Sequence, residues 1–215
     1  MKIVCISDTH SNQIELPEGD ILIHAGDLTN SGSFSEVNKM LYWLGRNRDK
    51  YKHVLFTPGN HDEYFSTDPY DAQLTCKQYG ITYVQDRMVE IEGVSFLGSP
   101  WTPIFGRWAY MTTEYNMVEL YSAFPQVDIL FTHGPPYGIL DELVIGDEKG
   151  KHCGSRALLG YVQRNPPQHH IFGHIHRHKL ENQSVTLGQT TFHNVAQVDE
   201  YVQTINTKKP VIIEI

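Results

Sequence analysis

The sequence contains few cysteines, and they do not form a motif. Cys5, Cys76 and Cys153 are widely separated, odd in number and free of any CxxC spacing. Disulfide frameworks and thiolate zinc sites both require cysteines at paired, recognisable spacings. The sequence therefore argues against both, and we expect three reduced thiols.

Positive charge is also scarce. The chain has 17 Lys and Arg against 25 Asp and Glu, a net charge of −8, and the longest basic run is the lysine pair in TKK. Proteins that bind a phosphate backbone carry clustered basic residues. Stable binding of nucleic acid is therefore not expected.

Long apolar runs are missing as well. The first apolar stretch covers only residues 3–6, before Ser7 and Asp8. It is shorter than the apolar region of a secretory signal, and no segment approaches the roughly 20 apolar residues of a membrane span. We expect a soluble, cytoplasmic protein without membrane contact. Its 215 residues, 40% of them hydrophobic, suffice for one core, so residues 1–215 are predicted to form a single domain.

The chain does contain a recurring unit, a short β-rich apolar run that ends abruptly in small and polar residues. The five instances are KIVCI before SDTH, DILIHA before GDLTN, HVLFT before PGNHD, DILF before THGPP, and HIF before GHIH. Helix-like segments lie between them. The clearest has Val37, Met40, Leu41 and Leu44 at helical spacing after a Ser33/Glu36 capping box. Two others cover residues 117–124 and 155–163 and end before prolines.

Strands that alternate with helices indicate βαβ units and a largely parallel layer. Further strand-like segments, ITYV, MVEIEGVSFLG, TTFHNV and PVIIEI, indicate a second sheet with some antiparallel pairing. We therefore predict an α/β fold, a four-layer α/β/β/α sandwich with two mixed sheets.

The five strand endings carry side chains with metal-binding chemistry. Loops at the carboxyl ends of strands converge on one edge of an α/β sheet, so these side chains are expected to be neighbours. They are Asp8, His10, Asp27, Asn60, His61, Asp62, His133, His174 and His176. Imidazoles mixed with carboxylates suit Mn²⁺, Fe²⁺ or Zn²⁺, whereas Ca²⁺ and Mg²⁺ prefer mostly oxygen.

The number of candidate ligands indicates two metals. With His61 and Asp62 set aside, seven candidates remain, more than the three or four protein ligands that one metal usually takes. Two divalent ions that share a carboxylate fit this number, and such centres recur in enzymes that carry out displacement at phosphorus.

The segment HHIFGHIHRHK places His174, His176 and His178 at alternate positions. In an extended chain these side chains share a face, which fits a solvated edge as well as a metal site. An HxH pair can also chelate a single ion, so the spacing leaves open whether His174 and His176 bind the same metal. His178 is interpreted as a solvated loop residue or a substrate contact, and His24 and His193 each as a core residue or a partner of a ligand.

Five motifs in fixed order resemble the calcineurin-like metallophosphoesterase superfamily. They are DxH at 8–10, GD at 26–27, GNHD at 59–62, His133, and GHxH at 173–176. CISDTHS, ILIHAGD, SPWTP, ILFTHGPPYGILD and PVIIEI are similar to one branch, the small metallophosphoesterase-domain-containing phosphodiesterases, over most of the chain. Animal members of that branch carry glycine at the first histidine of GHxH, whereas this chain has His174.

The resemblance implies a ligand set and a reaction. Asp8, His10 and His176 would hold the first ion, Asn60, His133 and His174 the second, and Asp27 would bridge them. The ions implied are Mn²⁺ or Fe²⁺, with Zn²⁺ as an alternative. A metal-activated hydroxide would attack phosphorus, and His61 would act as the general acid, oriented by Asp62.

The expected substrate is a small phosphodiester, such as a nucleotide or cyclic nucleotide. GDLTNSG lacks the second Asp and the Arg of the GDxxDRG motif in protein Ser/Thr phosphatases, and no insertion is long enough for a cap domain. A phosphomonoesterase, a protein phosphatase and a non-catalytic scaffold are the alternatives, and self-association is left open. In SPWTPIFGRWAY, Trp101, Phe105, Arg107, Trp108 and Tyr110 form either a rim for a base or part of the core, and Tyr137 could reach the same cleft.

Overall fold

The structure is a computed structural model that describes residues 1–143, 150–176, 183–199 and 209–215. The α-helices in these ranges are α1 (Phe34–Arg46), α2 (Glu63–Thr67), α3 (Pro69–Gln78), α4 (Glu114–Ser122) and α5 (Arg156–Arg164), and a 3₁₀ helix covers Arg48–Lys50. The strands are β1 (Lys2–Ile6), β2 (Ile21–Ala25), β3 (His53–Thr57), β4 (Thr82–Tyr83), β5 (Arg87–Ile91), β6 (Val94–Ser99), β7 (Thr102–Pro103), β8 (Met111–Thr112), β9 (Ile129–Thr132), β10 (Glu142–Leu143), β11 (Lys151–His152), β12 (His169–Phe172), β13 (Ser184–Leu187), β14 (Thr190–Asn194) and β15 (Val211–Glu214).

Two large mixed sheets contain most of these strands. The first has the order β15-β1-β2-β3-β4, in which β1 to β4 are parallel and β15 is antiparallel to β1. The second has the order β13-β14-β12-β9-β6-β5, with antiparallel pairing only at its two edges. The predicted α/β fold with two mixed sheets is confirmed.

Three apolar clusters separate four layers. The central cluster packs Ile3 and Ile23 of the first sheet against Phe131 and Ile171 of the second. The outer faces are covered by helices, the first sheet by α1, α2 and α3 and the second by α4 and α5. Because neighbouring residues of a strand point to opposite faces, β1 contributes Ile3 to the centre and Val4 to the helix side. The layer order is α/β/β/α, as predicted.

The predicted helices begin where their capping residues place them. Ser33 caps α1 by accepting a hydrogen bond from the Glu36 backbone N–H at 3.4 Å, and the apolar positions of the helical pattern are buried. α4 starts three residues before the apolar pattern because Thr113 caps it, and Ser155 caps α5. α2 and α3 were not predicted, although Asp68 followed by Pro69 is a helix-start signal.

The two sheets meet at the edge where β1, β9 and β12 end. A bridge between Ser7 and Ala196 joins them, with the Ser7 N–H donating to the Val195 carbonyl at 3.1 Å and the Gln197 N–H donating to the Ser7 carbonyl at 3.0 Å. Within the second sheet, the Gly173 N–H donates to the His133 carbonyl at 3.0 Å, which joins the endings of β12 and β9. Within the described ranges, no helix combines the length and the apolar character that crossing a bilayer requires.

Candidate metal centre

Asp8, His10 and His176 form a first group of side chains with metal-ligand chemistry. Their ligand atoms lie within 4.8 Å of one another. Nε2 of His176 is 3.1 Å from Oδ1 of Asp8 and 3.3 Å from Nε2 of His10. Two nitrogens that bind one tetrahedral ion at ~2.0–2.1 Å are separated by about 3.4 Å. The spacing of the two imidazoles therefore fits a single shared cation.

Asp27, His133 and His174 form a second group under the same 4.8 Å limit. Nε2 of His133 lies 3.4 Å from Oδ2 of Asp27 and 2.9 Å from Oδ1 of Asn60. The rings of His133 and His174 meet edge to face at 4.9 Å between centroids. An amide oxygen, a carboxylate and two imidazoles thus converge beside the first group.

Asp27 faces both groups. Its Oδ2 is 3.7 Å from Nε2 of His10 and 3.4 Å from Nε2 of His133, while its Oδ1 accepts the His61 backbone N–H at 2.8 Å. Asp27, His10 and His61 also satisfy the 4.8 Å limit as a third group. One buried carboxylate oxygen therefore lies between the two sets of imidazoles, and all seven predicted ligand residues are brought together.

Four of these residues have a left-handed backbone, which is uncommon outside glycine. The φ angles are +49° at Asp8, +42° at His10, +50° at Asp27 and +66° at His174. Each such conformation costs on the order of 1–3 kcal/mol and persists only where the surroundings enforce it. Here the Asp8 N–H donates to the Gly26 carbonyl at 2.9 Å, and the His10 N–H donates to the Asp27 carbonyl at 3.1 Å. The strain is concentrated where tight turns direct the side chains inward.

The glycines of GNHD and GHIH let two backbones approach these carboxylates. A Cβ at Gly173 would overlap Oδ2 of Asp8 and Oγ of Ser7, and a Cβ at Gly59 would overlap Oδ1 of Asp27. At Gly173 the close approach allows the neighbouring His174 N–H to donate to Asp8 Oδ2 at 2.9 Å. Backbone contact with the ligands explains glycine at both positions.

Two of the imidazoles are oriented by backbone carbonyls. Nδ1 of His133 donates to the Ala25 carbonyl at 3.1 Å, and Nδ1 of His176 donates to the Asp199 carbonyl at 3.0 Å. A neutral imidazole that donates through Nδ1 presents the Nε2 lone pair, and metal-binding histidines are commonly held in this way. Both Nε2 atoms face the carboxylates described above.

The electrostatics of the centre favour a cation. Burial alone would raise the pKa values of Asp8 and Asp27, but His176 beside Asp8 and His133 beside Asp27 hold both pKa values well below the usual range. Burial would lower the pKa of His133, yet the charge and hydrogen bond of Asp27 raise it to about 9. Burial lowers the pKa of His10 to about 4 and that of His174 to about 3. The ionised carboxylates and the neutral imidazoles of His10 and His174 suit a borderline divalent metal, and the negative charge that holds a proton on His133 would attract a metal cation in its place.

His61 stands at the margin of this centre. Its Nδ1 donates to the Asn30 carbonyl at 2.6 Å, and its ring packs against His10 at 4.7 Å and against Trp108 at 4.4 Å between centroids. Because Nδ1 is occupied by a carbonyl, Nε2 is the ring nitrogen available to another partner. The ring also lines a cleft of about 240 Å³, together with Ser31, Asn60, Glu63, Ser66, Arg107, Trp108 and Ala109.

Asp62 does not orient the His61 imidazole, and that prediction is wrong. The Asp62 carboxylate is fully buried and accepts the backbone N–H groups of Gly59, Leu28 and Thr29 at 2.9 to 3.1 Å, together with the Thr29 hydroxyl at 2.6 Å. Burial, with a smaller effect of Asp27, raises the pKa of Asp62 to about 6. The Asp62 side chain points inward to these donors, so it organises the loop after β2. The Asn30 carbonyl, and not Asp62, orients the His61 imidazole.

The aromatic segment between β6 and α4 is divided between surface and core. Phe105 is 57% exposed with its ring 5.1 Å from that of His174, and Trp108 is 50% exposed beside His61. Trp101 donates to Asp86 at 2.8 Å, and Tyr110 is 6% exposed. The core interpretation therefore fits Trp101 and Tyr110, whereas the exposed Phe105 and Trp108 leave the rim for a base a prediction.

His24 and His193 have partners outside the two groups. His24 is buried with Nε2 3.0 Å from the Thr9 hydroxyl, and His193 bonds His169 at 3.0 Å and Ser184 at 2.7 Å. The core interpretation therefore holds for His24, and neither His169 nor Ser184 is a ligand candidate. The Tyr137 ring contacts His152 and Arg156. His178 lies outside the described residues.

The fold and the paired His and Asp groups are those of a metallophosphoesterase. The family model for calcineurin-like phosphoesterases matches residues 1–178. The chain belongs to this family, whose members are phosphoester hydrolases that generally bind two divalent metals.

Curated relatives cover most of the chain. A UPF0046 protein of Caenorhabditis elegans is 38% identical, over 93% of this chain and 71% of its own. The metallophosphoesterase domain-containing protein 1 of Homo sapiens is 36% identical, over 100% of this chain and 71% of its own.

Two solved structures share the fold. A phosphopantetheinyl hydrolase from Mycobacterium tuberculosis superposes with a TM-score of 0.59 at 16% identity, covering 94% of this chain and 90% of that one. A protein of Thermus thermophilus gives a TM-score of 0.58 at 13% identity, covering 90% of this chain and 88% of that one. At these identities the likeness concerns the fold alone.

Proposed function

We propose that this protein is a phosphodiesterase that depends on two divalent metal ions and acts on nucleotides, including cyclic nucleotides. The observation that carries the proposal is the position of Asp27, whose Oδ2 lies within 3.7 Å of His10 Nε2 and 3.4 Å of His133 Nε2. In this assignment Asp27 bridges the ions. Asp8, His10 and His176 hold the first ion, and Asn60, His133 and His174 hold the second. Mn²⁺ and Fe²⁺ suit these ligands, and Zn²⁺ is the alternative.

Two bound ions would supply a water molecule of lowered pKa and would neutralise charge on the phosphoryl oxygens. The residues of the chain keep the ligands in the required state. The Asn60 amide and the Asp27 carboxylate supply oxygen, while the Ala25 and Asp199 carbonyls hold the Nδ1 protons of His133 and His176. With an ion bound, each of these two imidazoles would direct its Nε2 lone pair inward.

His61 is proposed to protonate the leaving oxygen. The Asn30 carbonyl keeps Nδ1 engaged, so the proton available for transfer is the one on Nε2 of the cationic ring. Trp108 on one side and His10 on another limit rotation of the ring. Within the described part of the chain, Nε2 of His61 has no hydrogen-bond partner that would compete with this role.

The rim of the centre supports a nucleotide substrate. Phe105 beside His174 and Trp108 beside His61 offer exposed aromatic surface on both sides of the ligand groups, and bases stack on such rings. Arg107 lines the cleft next to His61 and forms no ion pair with any described residue. In a chain of net charge −8, an uncompensated guanidinium at this position suits a phosphate-bearing ligand.

A substrate panel tests the proposal. Protein stripped with a chelator and reloaded with Mn²⁺, Fe²⁺ or Zn²⁺ would be assayed on 2′,3′- and 3′,5′-cyclic nucleotides, bis(p-nitrophenyl) phosphate, p-nitrophenyl phosphate and a phosphoserine peptide. We expect the highest kcat/KM on a diester, and no hydrolysis of any substrate before metal is added. Faster turnover of a monoester or peptide would overturn the diester assignment, and no metal-dependent turnover of any compound would favour a non-catalytic scaffold.

A further inference from the structure

Glu36 has contacts that its place in the helix does not require. It occupies the third position after the N-cap Ser33, where a capping-box Glu returns to the backbone of the cap. In the structure its carboxylate reaches beyond the helix. Oε2 accepts the Ser31 N–H at 2.8 Å and the Ser31 hydroxyl at 2.5 Å, and Oε1 accepts the Ser11 hydroxyl at 3.0 Å.

Both serines are direct neighbours of residues at the centre. Ser11 follows His10, whose ring packs against His61. Ser31 follows Asn30, whose carbonyl accepts the His61 Nδ1 proton at 2.6 Å. The Glu36 carboxylate therefore connects the loop after β1 to the loop after β2. Its contact in the second loop, Ser31, directly follows Asn30, whose carbonyl orients His61.

The loop after β2 is held from two sides. Asp62 fixes its beginning through the N–H groups of Leu28 and Thr29, and Glu36 fixes its end through Ser31. The Asn30 carbonyl lies between these two anchors. Although burial would raise the pKa of Glu36, the hydrogen bonds from Ser31 and Ser11 lower it below its usual value, so the anchor is an ionised acceptor at neutral pH.

We propose that Glu36 is a positioning residue for His61: by fixing Ser31 it holds the Asn30 carbonyl in place, and so keeps Nδ1–H engaged and the Nε2–H that is to be transferred directed at the substrate. This role rests on the proposed function of His61 as the general acid. A loop released at Ser31 would let the Asn30 carbonyl move away, and the ring could then take either tautomer or turn over. Misplacement on the order of 1 Å can cost up to about 10²-fold in rate.

The tautomer can be measured without metal or substrate. Nitrogen NMR of the neutral His61 ring, the form left once the Nε2 proton has been transferred, reports which nitrogen carries the remaining proton in metal-free wild type, Glu36→Ala, Glu36→Gln and Ser33→Ala. We expect the Nδ1–H form in wild type and in Ser33→Ala, which removes the cap of α1 but leaves the contacts of Glu36 with Ser31 and Ser11. Glu36→Ala should show a mixture, and Glu36→Gln a smaller change because one oxygen acceptor remains. An unchanged tautomer in both Glu36 variants, or the same change in Ser33→Ala, would overturn the positioning role.

Kinetics of the loaded protein provide the second measurement. We expect Glu36→Ala to lower kcat by about 10-fold on a nucleotide diester with little change in KM. In the His61→Ala background it should produce no further loss, because the two residues act through one group. Additive losses would contradict the proposal. If wild type hydrolyses no phosphoester at all, the proposed function fails, whereas the NMR result still decides whether Glu36 sets the state of His61.

Discussion

Oδ2 of Asp27 lies 3.4 Å from Nε2 of His133, and the same oxygen lies 3.7 Å from Nε2 of His10 in the other ligand group. A carboxylate shared in this way should be needed for both ions, whereas a terminal ligand should matter mainly for one.

Asp27→Asn keeps the shape of the side chain and removes its charge. We expect both ions to bind at least about tenfold more weakly, as measured by metal analysis after dialysis against graded metal concentrations. Asp8→Asn is the matched control, with the main loss at the first site. An Asp27→Asn protein that retains one ion with the affinity of wild type would contradict the shared position.

His174→Gly separates the two ligand groups. Asn60 and His133 would remain at the second site, and Asp8, His10 and His176 at the first. We expect the second ion to be weakened, the first to stay bound, and activity to recover partly with excess Mn²⁺. Loss of the first ion as readily as the second, or activity that added metal does not restore, would show that the ligands are divided differently.

His61→Ala should keep its metals and lose about 10²–10⁴ in rate on nucleotide diesters. A ribose alkoxide is a strong base that leaves poorly without a proton, whereas p-nitrophenoxide leaves readily without one. The loss in kcat/KM should therefore be much smaller on bis(p-nitrophenyl) phosphate. Equal losses on the two substrates would indicate that His61 binds or positions phosphate instead.

His170 makes stability depend on pH independently of the metal ligands. It is fully buried with Nε2 2.9 Å from the Thr132 hydroxyl, and burial lowers its pKa to about 3. The unfolded chain has the ordinary value of about 6.5. Because the unfolded state takes up the proton first, this group's contribution is complete above about pH 6.5 and is lost as pH falls toward 3.

At pH 5 the loss from His170 amounts to ~2 kcal/mol. Urea unfolding of metal-free wild type and His170→Leu at pH 7.5 and pH 5 would measure it. We expect the free energy of unfolding to fall less between the two pH values in the variant, whatever the substitution costs at pH 7.5. An equal fall in both proteins would mean that His170 does not titrate as described.

The positions of the seven ligand residues could be predicted because each follows a strand whose pattern is clear. A run such as KIVCI fixes where β1 ends, and parallel strands bring their endings to one edge. The layer order followed from the alternation of strands and helices. These features depend on residue type and spacing, which a sequence displays directly.

The environment of His61 could not be predicted, because it does not depend on residue type or spacing. Its hydrogen-bond acceptor is the Asn30 backbone carbonyl, a group that every residue possesses, so no side-chain pattern marks it. The sequence predicts Asp62, the neighbour of His61, as its partner, but the Asp62 carboxylate accepts buried N–H groups instead. The exposure of Phe105 and Trp108, in contrast to the burial of Tyr110, likewise depends on an irregular loop without a period.

The number of ions that the wild-type protein binds tests the shared carboxylate most directly. Chelator-treated protein would be titrated with Mn²⁺ while bound metal per chain and hydrolysis of a nucleotide diester are measured together. We expect saturation at two ions per chain, with hydrolysis rising as the second ion binds. Saturation at one ion, with full hydrolysis, would contradict a centre in which Asp27 joins two metals.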